Sequence, residues 1–139
     1  MIILGIETSC DETAVSICRD GKILSNIVGS HLIHTQFGGV VPEVASREHE
    51  RLLNNLTIEA IGQTRLAIND IDGIAVTNGP GLSGALLTGV SFAKGLALGL
   101  GIKIVSINHL DSRATPSSIV LGDKSFQFKI SNGIKTSGI

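Results

Sequence analysis

Seven consecutive residues near the start of the chain, Glu7-Thr8-Ser9-Cys10-Asp11-Glu12-Thr13, carry three carboxylates and four hydroxyl or thiol groups. They follow the apolar run of residues 2–6, which places them at a strand end. A carboxylate there can hold a hydrated Mg²⁺, and the backbone N–H groups of a tight turn can cradle phosphate. A polar hairpin loop with capping hydroxyls is the competing reading. A second stretch, Gly38-Gly39-Val40-Val41-Pro42-Glu43, leads into Ala45-Ser46-Arg47-Glu48-His49. Its glycine pair can bring backbone close to a ligand, and Arg47 could clamp an anion. His49 falls on an apolar helical face, where a core histidine with satisfied nitrogens is the plain reading. A third, Asn78-Gly79-Pro80-Gly81-Leu82-Ser83-Gly84, forms a strand-to-helix turn. Such a turn can be an anion site or a purely structural turn. The fourth, His109-Leu110-Asp111-Ser112-Arg113, puts a histidine two residues before a carboxylate, a weak metal signal by itself.

The elements that must position these residues follow from pattern. Residues 2–6 form a near-continuous apolar run, the mark of a strand buried on both faces. Residues 13–18 alternate loosely, and Asp20-Gly21 between two apolar runs predicts a two-residue hairpin into a third strand over 22–28. Residues 31–39 read as a loop. Pro42 can start a helix and Glu43 suits its positive end. Ala45, His49, Leu52, Leu53, Leu56 and Ala60 share one helical face, with an end near Gly62. A short strand over 74–76 precedes a helix over about 83–98. Its small residues Gly84, Thr88, Ser91, Gly95 and Gly99 make a stripe expected to face the sheet. Residues 103–107 give a fifth strand. The order βββαβαβ is an α/β arrangement in which an antiparallel meander joins parallel strands.

Composition narrows the function. The chain has 139 residues, is 42% hydrophobic and 17% charged, and carries a net charge of −1. That affords one core-bearing domain. There is no basic field to argue nucleic-acid contact from charge. With four Phe and no Trp or Tyr, it lacks most of a base-stacking platform. Cys10 and Cys18 form no CxxC, no secretory or transit signal is visible, and a cytoplasmic protein with reduced thiols is expected. From Gly81 to Ile102 the sole charge is Lys94. Six glycines and a mid-segment Lys favour a buried helix over a membrane span, so no membrane partner is expected. Beyond Arg113 the character changes. Residues 119–121 and 126–130 could form a weak hairpin around Gly122-Asp123-Lys124, which suggests a lobe over 1–113 and a divergent tail over 114–139.

In this order, Gly5-Ile6-Glu7-Thr8-Ser9-Cys10-Asp11-Glu12-Thr13, Gly38-Gly39-Val40-Val41-Pro42-Glu43, Ala45-Ser46-Arg47 with His49, Gly79-Pro80-Gly81-Leu82 and Asn108-His109-Leu110 resemble the universal tRNA threonylcarbamoyladenosine synthases. That family is also described as O-sialoglycoprotein-endopeptidase-like. The resemblance implies an actin/Hsp70-like fold, of which this chain would be one RNase-H-like lobe. It implies transfer of a threonylcarbamoyl group from its adenylate to N6 of adenosine 37 in tRNAs reading ANN codons. The partners implied are tRNA and threonylcarbamoyl-adenylate within a multiprotein complex; any homo- or heterodimer contact is expected to use the glycine-rich second helix or the first helix, whose apolar surface a second lobe would otherwise cover.

By the same resemblance Asp11 and Glu12 are candidate catalytic residues, and Glu7, Ser9, Gly79 and Gly81 candidate cofactor-binding residues. The family's cofactors are a nucleotide with Mg²⁺ and a divalent metal of the Fe or Zn type. The metal is held by an H-x-E-x-H motif and a distant Asp. His109 matches the first histidine, Asp111 stands at the Glu, and Arg113 stands where the second histidine belongs. A guanidinium has no lone pair to give a metal. The family's second lobe, with its serine-glycine-glycine-histidine loop, has no counterpart here. The tail's Phe126, Phe128, Ser131, Gly133, Lys135 and Thr136 resemble a later family segment. The expectation is a truncated transferase lobe without turnover of its own. A non-catalytic interaction module and an inactive remnant are the alternatives.

Overall fold

The computed structural model describes residues 1–30, 38–108, 118–121 and 124–127, the last two segments as backbone. Strands β1 (Ile2–Glu7), β2 (Glu12–Arg19) and β3 (Lys22–Ser30) form the antiparallel meander. Its tight turn has Asp20 at φ 50° and Gly21 at φ 81°. Both loop residues take the left-handed region, the geometry that matches the twist of paired strands. Helix α1 (Pro42–Gly62) leads through a short 3₁₀ turn (Ile68–Asp70) to β4 (Gly73–Gly79). Helix α2 (Ser83–Leu100) then leads to β5 (Lys103–Asn108). β4 pairs parallel with β1 and β5 parallel with β4, giving the sheet order β3-β2-β1-β4-β5. A separate antiparallel pair, β6 (Ser118–Leu121) and β7 (Lys124–Gln127), lies in the tail. Expected strand residues 128–130 and loop residues 31–37 lie outside the described residues.

Local chemistry sets the helix bounds. Pro42 opens α1, where a missing N–H costs nothing. Gly101, at φ 67°, ends α2 in the left-handed conformation. The main core joins Leu4, Ile6, Val15, Ile17, Ile74 and Val76 of the sheet to Leu53, Leu56 and Ala60 of α1 and Val90, Ala93 and Ala97 of α2. Both helices therefore cover the same sheet face. A smaller cluster, Ile3, Ala75 and Ile107, lies apart from it. Cys18 is buried, and burial above all raises its thiol pKa. Cys10 and Cys18 are both free thiols.

The stripe expected on α2 is not the face that meets the sheet. The buried residues are Ala85, Gly89, Val90, Ala93 and Ala97, a track rotated from the glycine stripe. Gly95 and Gly99 are exposed, and a Cβ added at either meets nothing within 4 Å. Gly84 instead lies against Ser46 of α1. The reason is hydrophobic. Alanine methyls gain from burial while leaving the helix axis close to the sheet, and the hydroxyls of Thr88 and Ser91 do better near water. Helix α2 is long and apolar enough to cross a membrane; here its buried track packs into the core. α1 also buries Thr57, which the apolar pattern omits, because its hydroxyl donates to the Leu53 carbonyl at 2.7 Å.

These placements separate two glycines of one helix. A Cβ at Gly89 collides with the Thr8 side chain, whereas one at Gly95 points into open space. Gly89→Ala should destabilise by about 1–3 kcal/mol as overpacking, and Gly95→Ala should stabilise by roughly 0.5–1 kcal/mol through helix propensity. Urea denaturation of both variants checks the pair. A destabilising Gly95→Ala would return the glycine stripe to a packed interface.

Candidate active site: a braced acidic loop

The parallel strands end together. Glu7 closes β1, Gly79 closes β4 opposite Asn108, and Asn108 closes β5. The carboxyl edge of such a sheet is where ligands of open α/β folds bind. The expected acidic loop and glycine turn thus share one edge, and His109 directly follows the strand that ends beside the turn. His109, Asp111 and Arg113 themselves lie outside the described residues.

The loop from Thr8 to Glu12 is tied down by buried polar contacts. Glu7 is buried, and its two carboxylate oxygens accept from different elements: Oε1 from the Ser9 backbone N–H at 2.7 Å, Oε2 from the Thr77 hydroxyl of β4. The Ser9 carbonyl accepts from the Leu82 N–H at 2.8 Å, which fastens the glycine turn to the loop. Thr8 donates from Oγ1 to the Ala85 carbonyl at 2.8 Å, in the first turn of α2. His49, fully buried on α1, meets the Cys10 carbonyl through Nε2 at 2.9 Å and the Thr13 hydroxyl through Nδ1 at 2.7 Å. Buried polar groups need such partners, since an unmet one costs about 1–3 kcal/mol.

The candidates among the described residues divide by burial. Glu7 and Ser9 are 3% exposed, so they brace the loop from inside. Asp11 and Glu12 are half-buried at its rim. Among the described residues no ion pair or side-chain hydrogen bond engages either carboxylate. Gly81 passes so close to the loop that an added Cβ would lie 2.5 Å from the Ser9 carbonyl oxygen. Only glycine fits that approach. Gly79 precedes a cis peptide bond to Pro80. Gly38 and Gly39 are exposed, with open space where a Cβ would point. Arg47 pairs with Glu43 at 3.0 Å, both largely exposed, so the contact adds little stability. His49 is the satisfied core histidine of the plain reading. Sequence reasoning missed Thr77, whose role depends on β4 lying beside β1. A Thr at the end of an otherwise apolar run was the available signal. Among the described residues no group of three His, Cys, Asp or Glu could hold a metal. Arg113, at one expected ligand position, has no lone pair to give a metal, and His109, Asp111 and Arg113 lie outside the residues described.

The meander, the parallel strands and the helices define an RNase-H-like lobe of the actin/Hsp70-like class. Solved structures share it. YeaZ from Pseudomonas aeruginosa superposes with a TM-score of 0.64 at 22% identity, covering 81% of this chain and 47% of its own. RuvC from Thermus thermophilus gives 0.52 at 13%, covering 81% and 67%. At such identities these likenesses speak for the fold alone. The family model for TsaD, tRNA N6-adenosine threonylcarbamoyltransferase, matches residues 22–127. The chain belongs to that family. The tRNA N6-adenosine threonylcarbamoyltransferase of Fervidobacterium nodosum is 60% identical over 111 residues, 79% of this chain and 33% of the relative. That of Chlorobium phaeovibrioides is 53% identical over 112 residues, 81% and 32%. The chain therefore spans about a third of the length of the curated relatives it matches.

The Glu7 brace makes a stability prediction. Thr77→Val removes one donor from a buried carboxylate and should cost about 1–3 kcal/mol, whereas Thr77→Ser should retain most of the stability. Thermal or urea unfolding reads both. Equal stability of the Val and Ser variants would dismiss the brace.

Proposed function

We propose that this chain serves threonylcarbamoyl transfer to N6 of adenosine 37 in ANN-reading tRNAs, as the lobe that supplies one wall of the adenylate site. The observation that carries the reading is the pair Asp11 and Glu12, without a described partner, on a braced loop beside the Gly79–Gly81 turn, in a chain of this family. Asp11 and Glu12 would hold a hydrated Mg²⁺ on the nucleotide. Backbone N–H groups at the Gly79–Gly81 turn would contact its phosphate. Glu7 and Ser9 keep that wall in shape. The substrates are threonylcarbamoyl-adenylate and tRNA, met within a multiprotein assembly in the cytoplasm. A net charge of −1 leaves most tRNA attraction to other parts of that assembly.

One wall does not align two substrates. Orientation within a closed site is worth roughly 7–11 kcal/mol of barrier, and that requires an opposing surface. A second reading, a module that pairs with another polypeptide, is supported by Ile58 on α1 and Leu87 and Leu98 on α2, which are 62%, 66% and 85% exposed. Large apolar side chains of this exposure on one helical layer favour a protein contact. If the helices carry that contact, Leu87→Glu with Leu98→Glu should shift any oligomer seen in analytical ultracentrifugation to monomer. A native chain that is monomeric at high concentration would count against it.

The transfer reading is tested by incubating the chain with threonylcarbamoyl-adenylate and an ANN-reading tRNA, then measuring modified adenosine by mass spectrometry. The chain alone should give none above the no-protein control. Adding a polypeptide that covers the remaining two thirds of the Fervidobacterium relative should give product, and Asp11→Ala should lower it by about 100-fold. Product from the native chain alone would show that the opposing surface is unnecessary. No product from the reconstituted pair would refute the reading.

A further inference from the structure

We propose that His49 is a positioning residue that sets the geometry of the Asp11–Glu12 segment from outside it. The ring is fully buried, and its two nitrogens contact the residues on either side of that segment, Cys10 by its carbonyl and Thr13 by its hydroxyl. A carbonyl can only accept, so Nε2 carries a proton and donates to it, leaving Nδ1 for Thr13. One rigid planar group thus closes the base of a four-residue turn. The ring sits between Ala45 and Leu53 on the buried face of a 21-residue helix, so the turn is referenced to α1 and not only to the sheet.

A core that needed only volume at this position would take Leu, which carries no desolvation cost. A buried imidazole gains little net stability even when both nitrogens are satisfied. What it adds is fixed direction: two polar contacts on opposite edges of one ring, which an aliphatic side chain cannot make. The consequence falls on Asp11 and Glu12, half-buried and without a described partner. Their carboxylates take their direction from the backbone that His49 holds. The kinetic part of this inference rests on the transferase reading; the structural part does not.

Side-chain lengths separate the two contacts. A Gln amide nitrogen reaches the place of Nε2 and can donate to the Cys10 carbonyl. An Asn oxygen reaches the place of Nδ1 and can accept from Thr13. His49→Leu removes both contacts. The first measurement is the ¹H–¹⁵N spectrum of the 139-residue chain. His49→Leu should displace the Asp11 and Glu12 amide signals, and His49→Gln should restore them towards native positions. The second is turnover of the reconstituted pair. His49→Leu should lower kcat by about 100-fold, the cost of a misplacement of about 1 Å, with KM for the adenylate little changed, and His49→Gln should recover most of it. If His49→Leu does not fold, the comparison of Gln with Asn decides, with Gln expected to be closer to native in both measurements. Unmoved Asp11 and Glu12 signals in His49→Leu, or Gln no better than Asn, would overturn the proposal. If the native pair shows no turnover, the transferase reading fails, and the spectra still decide the role of His49.

Discussion

The buried carboxylate of Glu7 is the contact on which the site depends. Its two oxygens join the turn after β1, through the Ser9 N–H, to β4, through the Thr77 hydroxyl. Burying a carboxylate is costly unless donors meet it, so this pairing only works where β1 and β4 lie side by side. The parallel register that aligns Ile6 with Val76 supplies that geometry. Once the turn is anchored there, the Ser9 carbonyl can take the Leu82 N–H and Thr8 can reach the first turn of α2. The hydrophobic core holds sheet and helices together, and the Glu7 network decides where the loop stands on that platform.

Close approach is the second constraint. Gly81 and Gly89 are the places where the chain passes the acidic loop with no room for a Cβ. They sit on the turn before α2 and on its buried track, so turn and helix both press against residues 8 and 9. Small residues here serve contact with a loop, not contact between helix and sheet. The sheet contact of α2 uses Val90, Ala93 and Ala97, whose short side chains add burial without forcing the helix away.

Much of this was legible in the residues, and the exceptions have physical causes. The Asp20-Gly21 turn announced its hairpin because few dipeptides accept two positive φ values. Pro42 and the Ala45-to-Ala60 spacing marked α1 because burial on one face imposes a 3.6-residue period. The α2 interface was misjudged because two tracks of small residues run along that helix, and periodicity cannot say which faces inward. Thr77 escaped notice because its value comes from a neighbour 70 residues away in sequence. His49 read correctly as a satisfied core residue, but the identity of its partners required α1 to be docked against the β1–β2 turn. Asp11 and Glu12 stood out by type, while the division of labour between them and Glu7 depended on burial, which residue type alone does not reveal.

The central claim is that the residues between β1 and β2 form a rigid platform held by buried contacts, with Asp11 and Glu12 at its rim. Backbone ¹⁵N relaxation over residues 8–12 of the native chain measures this directly. The account predicts order parameters near about 0.85, like the flanking strands. Values below about 0.6 across the loop, with β1 and β2 still rigid, would contradict it.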